Sequence, residues 1–314
     1  MDLEIVSYSE IDTYRQCRLK HQLSYIERWR DQEEAEALAR GTLFHSVMEA
    51  LYKKKKEFSD AHEDLTAEDL FLAVAPLLWE EGTGEQTERQ ELVEWMTRGY
   101  LDLYGLDGDW EIVAVERPLT VPLTYPDGTP SGLGLSGTVD LLVKDHSIGG
   151  GLWIVDHKTC RDLPKQKDFD MEDQTAIYAY LLQKEEGLDV RGAIYNYVRT
   201  RKLVRDMLPE ERFLRHRTVR EDRELETIAS DALEIMLEAY GNHDRRVSAL
   251  GTDVYDAPRS PDGERCGWKC GFTEACLAGR KYGPKATRRY LRDVGFAQHE
   301  TKPGPTFNKQ KEPV

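Results

Sequence analysis

Leu152-Trp153-Ile154-Val155 follows a turn-forming stretch at His146–Gly151 and ends directly in Asp156-His157-Lys158. So short an apolar run, bounded by turn residues, suits a buried strand better than a helix. Because side chains alternate across a strand, Asp156 and Lys158 share one face while His157 points to the other. The core strand therefore delivers an acid and a lysine together at its end.

The flanking sequence supplies the rest of a sheet. Residues 110–124 are rich in Val, Ile and Leu, Pro126-Asp127-Gly128 has turn chemistry, and Leu133–Val143 alternates as a strand does. With Leu152–Val155 these make a three-stranded meander. A helix from about Asp170 to Glu186 carries Gln174, Ile177, Tyr178 and Leu181 on one face, and Ala193–Val198 returns as a strand. The fold expected is α/β, a mixed central sheet flanked by helices. The first quarter reads as helical. Ser9 precedes Ile11, Tyr14, Leu19 and Leu23, and a second pattern begins near Gly41 with Leu43, Phe44, Val47 and Met48. Amphipathic segments follow near residues 71–81 and 88–104, and another at 222–240. The organisation expected is a helical region over 1–109, a core over 110–220, and a closing region over 221–314 with a helix, clustered cysteines and a basic tail.

The opening residues carry acids where a secretory signal needs basic and then apolar ones, and no stretch approaches the roughly 18 apolar residues of a membrane span. A cytoplasmic protein is expected. The net charge of -15 disfavours a polyanionic partner, yet residues 277–314 hold nine basic residues (Arg280, Lys281, Lys285, Arg288, Arg289, Arg292, Lys302, Lys309 and Lys311) against three acids. That segregation keeps nucleic acid among the candidate partners.

Gly137-Thr138-Val139-Asp140 lies in the strand before the Asp156 strand, fifteen residues separating the two aspartates, so a hairpin can bring the carboxylates together. Two hard oxygen ligands suit Mg²⁺ or Mn²⁺, and Lys158 beside them can orient a water or neutralise charge developing on a phosphate. His45 and Glu49 share a helix face, which makes His45 a further candidate ligand, and the backbone carbonyl of His157 is another. Gln174 and Tyr178, one helical turn apart, flank the site with an amide and a phenol.

The order G-x-x-x-H, G-x-x-D, D-x-K and Q-x-x-x-Y resembles the RecB-type branch of the PD-(D/E)XK nuclease superfamily, which includes CRISPR-associated exonucleases and helicase-nuclease subunits. The likeness runs from Ser7 to Cys276. It implies a restriction-endonuclease-like core, with His45, Asp140 and Asp156 on the metal, Lys158 in catalysis and Gln174–Tyr178 as an auxiliary pair. It also implies a DNA exonuclease acting on single strands or free ends in recombination, repair or phage DNA processing, with a helicase or recombination protein as possible company. A non-catalytic DNA-binding scaffold and a site-specific endonuclease are the alternatives. Glu116, in the strand before the hairpin, receives no role.

Cys266, Cys270 and Cys276 form a C-x3-C-x5-C cluster, which in a cytoplasmic-looking chain points to metal rather than disulfides. Cys17 is the preferred fourth ligand, because Cys160, two residues after Lys158, would draw the cluster into the catalytic centre. Four thiolates can hold zinc or a [4Fe-4S] cluster, and the unequal spacing departs from paired C-x2-C zinc units. A subset of the RecB-type family resembles this arrangement with an iron-sulfur cluster. The N- and C-terminal segments are thus expected to be joined by a metal cluster.

Overall fold

The computed structural model describes residues 3–32, 36–61, 65–79, 86–105, 107–164, 169, 171–202 and 207–303. Its elements begin with β1 (Glu4–Ser7), α1 (Tyr8–Gln16), α2 (Arg18–His21), β2 (Trp29–Asp31), α3 (Glu36–Ala61), α4 (Ala67–Leu78) and α5 (Glu88–Tyr104). The central run is β3 (Trp110–Thr124), β4 (Pro130–Asp145), β5 (Gly151–Cys160), α6 (Asp173–Glu186), β6 (Val190–Arg199), α7 (Pro209–Arg212) and β7 (Phe213–Val219). The chain continues through α8 (Asp222–Leu250), α9 (Thr273–Tyr282), α10 (Pro284–Asp293) and β8 (Phe296–Gln298). It divides into two compact units, one of Met1–Glu34, Pro122–Ser136 and Thr227–Asn308, the other mainly of Ala35–Val121 and Gly137–Glu226. No described helix is long and apolar enough to cross a membrane.

The second unit holds the mixed sheet expected from the sequence. β4 pairs antiparallel with β5, β5 parallel with β6, and β6 antiparallel with β7, while β3 pairs with β4. One face is covered by α3, α4 and α5. Phe44, Met48 and Tyr52 of α3, Leu70 and Val74 of α4, and Val93, Met96 and Tyr100 of α5 form a core with Leu141, Val143, Val155 and Ile194 from the strands. Thr66 and Thr87 start α4 and α5 through reciprocal capping boxes with Asp69 and Gln90, so their starts are written in the local sequence. α6 lies over the other face, where Tyr178 packs on Gly137 of β4.

In the first unit β1 runs parallel to the opening residues of β4, and β2 pairs antiparallel with β8. The N-cap of α1 is Ser7, whose hydroxyl accepts from the Glu10 N–H, rather than Ser9. Two residues assigned to a basic tail are internal cations instead. Arg288 is buried between Glu27 and Asp256. Lys302 reaches Glu4, Glu10 and the Ile5 carbonyl. Buried acids need such partners, so these two charges are spent on the fold and unavailable to DNA. Lys309 and Lys311 lie outside the described residues.

Candidate active site

β4 and β5 pair Leu141 with Val155, so one step further along the hairpin Asp140 and Asp156 come opposite each other. The Oδ2 of Asp140 accepts a hydrogen bond from the His157 N–H at 2.9 Å and lies 3.4 Å from the Nδ1 of His45, which α3 carries to the site. Glu116 of β3 completes a cluster. The ligand atoms of His45, Glu116 and Asp140 all fall within 4.8 Å of one another, a set from which Asp156 is absent.

Asp156 is buried and stands instead beside Lys158, with Nζ 3.0 Å from Oδ2. That approach has poor hydrogen-bond geometry, leaving Oδ2 buried with no well-directed donor. Burial raises the pKa of Asp156, and the nearby Asp140 raises it further. Burial opposes charge on Lys158, but Asp156 and Asp140 outweigh it and hold the ammonium pKa above the ordinary lysine value. Lys158 is therefore a fixed cation. Its Nζ donates to Gln174 Oε1 at 2.5 Å, and Gln174 Nε2 donates to the Tyr178 hydroxyl at 2.7 Å. Burial and then Asp156 push the Tyr178 pKa up, so the phenol keeps its proton. The glutamine-tyrosine pair thus orients the lysine.

Glu116 is the residue that sequence reasoning left without a role. Burial, reinforced by Asp140 and Glu49, pushes its carboxyl up to about 8, and its backbone φ is 48°, a conformation that side chains other than glycine rarely adopt. Its signal in the sequence is an acid ending the apolar run Ile112-Val113-Ala114-Val115, the same pattern that marks Asp156.

The ring of His157 turns away from this centre. Its Nδ1 accepts from Asn196 Nδ2 at 2.8 Å, and it stacks on Tyr52 in the core under α3 and α5. Burial holds its pKa well below the usual histidine value, so it stays neutral. His157 gives the site its main-chain N–H, which donates to Asp140, while its ring packs in the core.

The two motif glycines differ in kind. A Cβ on Gly137 would sit 2.5 Å from the Tyr178 ring, whereas one on Gly41 would meet only Thr159 Oγ1 at 3.5 Å, an ordinary contact. Gly137→Ala is therefore expected to displace Tyr178, lower the melting temperature by an amount corresponding to roughly 1–3 kcal/mol and cut hydrolysis, while Gly41→Ala leaves both near wild type. Thermal melts and rate measurements on the two variants check this contrast.

In the first unit Cys17, Cys266, Cys270 and Cys276 line one cavity of about 280 Å³. Arg259 Nε donates to Cys276 Sγ at 3.2 Å, and the Asp262 N–H lies 3.5 Å from Cys266 Sγ. The Thr273 hydroxyl, with one hydrogen to share between them, lies against the carbonyls of Cys266 and Cys270. Among the described residues no three cysteine sulfurs all lie within 4.8 Å of one another. Cys160 is half-buried at the end of β5, in the other unit.

Among solved structures, the chain is similar to a "putative exonuclease" from Eubacterium rectale, with 16% identity, a TM-score of 0.44, and coverage of 76% of this chain and 82% of that one. It is also similar to SSO0001, at 12% identity, a TM-score of 0.33, and coverage of 71% and 80%. No curated protein sequence matches it. The sequence model of the PD-(D/E)XK nuclease superfamily matches residues 5–277, which contain the whole Asp140, Asp156 and Lys158 constellation. The chain belongs to the PD-(D/E)XK nuclease superfamily.

Proposed function

We propose that this protein is a Mg²⁺- or Mn²⁺-dependent deoxyribonuclease that digests DNA from free ends. The observation that carries the reading is the meeting of His45, Glu116 and Asp140 beside the Asp156–Lys158 pair. Three carboxylates crowd one pocket, two of them with raised pKa values, and a buried oxygen of Asp156 lacks a proper donor. A hard divalent cation relieves both conditions, so the donor set fits one. His45, Glu116, Asp140 and Asp156 would hold it, and when bound it supplies Lewis acidity toward the scissile phosphate. Lys158, locked by Gln174 and Tyr178, orients the attacking water and stabilises charge that develops on the phosphoryl oxygens.

The Lys158–Asp156 pair beside the His45, Glu116 and Asp140 cluster favours a catalytic centre over a non-catalytic scaffold. Work at DNA ends, in recombination, repair or phage DNA processing and with or without a helicase partner, is supported by the RecB-like motif order alone. Linear and circular DNA of the same sequence, each with Mg²⁺ or Mn²⁺, provide the test. Progressive loss of the linear form with the circle intact is expected. Cutting of the circle into defined fragments would replace the exonuclease with a site-specific endonuclease, and no loss of either form would reject a nuclease.

We further propose that Cys17, Cys266, Cys270 and Cys276 bind a [4Fe-4S] cluster. All four line one cavity of the first unit, and four thiolates around one space can hold such a cluster. Its role is structural, tying Cys17, just after α1, to the segment before α9 and to α9 itself.

A further inference from the structure

β5 and β6 run parallel, Asp156 pairing with Tyr195 and Lys158 with Tyr197. On β6, Ile194 and Val198 enter the core under α3 and α5, and Asn196 bonds the His157 ring on that same face. Side chains alternate along a strand, so Tyr195 and Tyr197 take the opposite face, the one that carries Asp156 and Lys158. The two tyrosines differ in what they are free to do. Tyr195 is buried, and its hydroxyl shares a hydrogen bond of 2.8 Å with Thr175 of α6. Tyr197 is half-buried, with its ring set against Phe169 and Tyr195 at centroid distances of 5.5 and 6.3 Å. Among the described residues its hydroxyl makes no hydrogen bond. Burial raises its pKa, and the charges that act on it most are Lys158 and then Asp156.

We propose that the Tyr197 hydroxyl donates a hydrogen bond to a non-bridging oxygen of the DNA phosphate next to the one being cleaved. This rests on the nuclease reading above and adds a residue that seats the substrate strand. Across one face the sheet sets Asp140 on β4, Asp156 and Lys158 on β5 and Tyr197 on β6, adjacent strands lying about 4.8 Å apart. A scissile phosphate held between the carboxylate cluster and Lys158 leaves Tyr197 on the side of the lysine away from Asp140, where a neighbouring phosphate of the same strand falls. An uncharged phenol donates to an anionic oxygen through a charge-assisted bond, and Phe169 and Tyr195 hold the ring in place for it. Such a contact fixes register along the backbone and reads no base.

The test is single-turnover hydrolysis of a short blunt duplex in Mg²⁺ by full-length protein, followed as protein concentration is raised. Tyr197→Phe removes the hydroxyl and keeps the ring packing, so its melting temperature should stay at the wild-type value. The concentration giving half the maximal rate is expected to rise roughly tenfold, the effect of losing a hydrogen bond to a charged group. The maximal rate should stay within about twofold, because a phosphate that does not react is held equally in the ground and transition states. The slope of log affinity against log salt should not change, since no cation is lost. Wild-type half-saturation in Tyr197→Phe, in protein that still digests DNA, would overturn the contact while leaving the nuclease reading intact. Impairment in Tyr197→Ala alone would also overturn it and give the role to the ring. A lowered maximal rate with unchanged half-saturation would move the hydroxyl to the scissile phosphate and overturn the assignment to its neighbour. Wild-type protein that cuts no DNA would remove both readings.

Discussion

Asp156→Asn and Asp140→Asn should each lower DNA hydrolysis by about 10³-fold or more while the protein stays folded. The two aspartates act differently. Asp140 touches His45, accepts from the His157 main chain and shares the 4.8 Å cluster with Glu116, so its loss dismantles the cation site. Asp156 stands against Lys158 with one oxygen lacking a proper donor, so its loss frees the lysine and removes a ligand together. The amide keeps the shape of the carboxyl but takes from Lys158 its counter-charge, so a moderate fall in melting temperature is expected in Asp156→Asn beside the much larger loss of activity. A circular-dichroism melt beside the activity assay separates the two effects. A large fall in melting temperature would mean that the aspartates support the fold rather than the chemistry.

The second large effect concerns the cysteines. Purified without oxygen, the protein should be brown with broad absorbance near about 400 nm, and replacing any of Cys17, Cys266, Cys270 or Cys276 by Ala should bleach it. Cluster binding and folding are coupled when ligands come from distant parts of the chain, so these variants should also melt at clearly lower temperature. Leu19, Leu23, Trp29, Phe272 and Leu291 form a small core that packs directly on Cys17, Cys270 and Cys276, which is how ligand loss reaches stability. Cys160→Ala should keep the colour, since that thiol sits at the end of β5. A colourless protein with one zinc per chain would retain the ligands and replace the iron.

How far these features could be read without a structure depends on where their partners lie. The meander from Trp110 to Cys160 was legible because its apolar alternation and its Pro126-Asp127-Gly128 turn are local. Gln174 and Tyr178 were legible as a pair because one helical turn separates them. β7 was missed. Its sequence Phe-Leu-Arg-His-Arg-Thr-Val reads as polar, and only tertiary partners explain it, Arg215 being paired with Asp107 and Arg217 with Asp145. β1 is four residues long, too short to show a period. Glu116 looked like an ordinary strand acid until the fold brought it to His45, while Arg288 and Lys302 looked like free surface charges until it gave them Glu27, Asp256 and Glu10. For β7, Glu116, Arg288 and Lys302 the meaning of the residue is set by a charged partner distant in sequence.

Lys158 stands at the centre of the site, its ammonium fixed by Asp156, Gln174 and, through the latter, Tyr178. Its most direct test is single-turnover hydrolysis of linear DNA by folded Lys158→Ala protein across a Mg²⁺ titration. The loss is predicted to be at least about 10²-fold at every Mg²⁺ concentration, because added cation can refill the carboxylate site but cannot replace the missing positive charge at the phosphate. Hydrolysis at the wild-type rate, at any Mg²⁺ concentration, would contradict it.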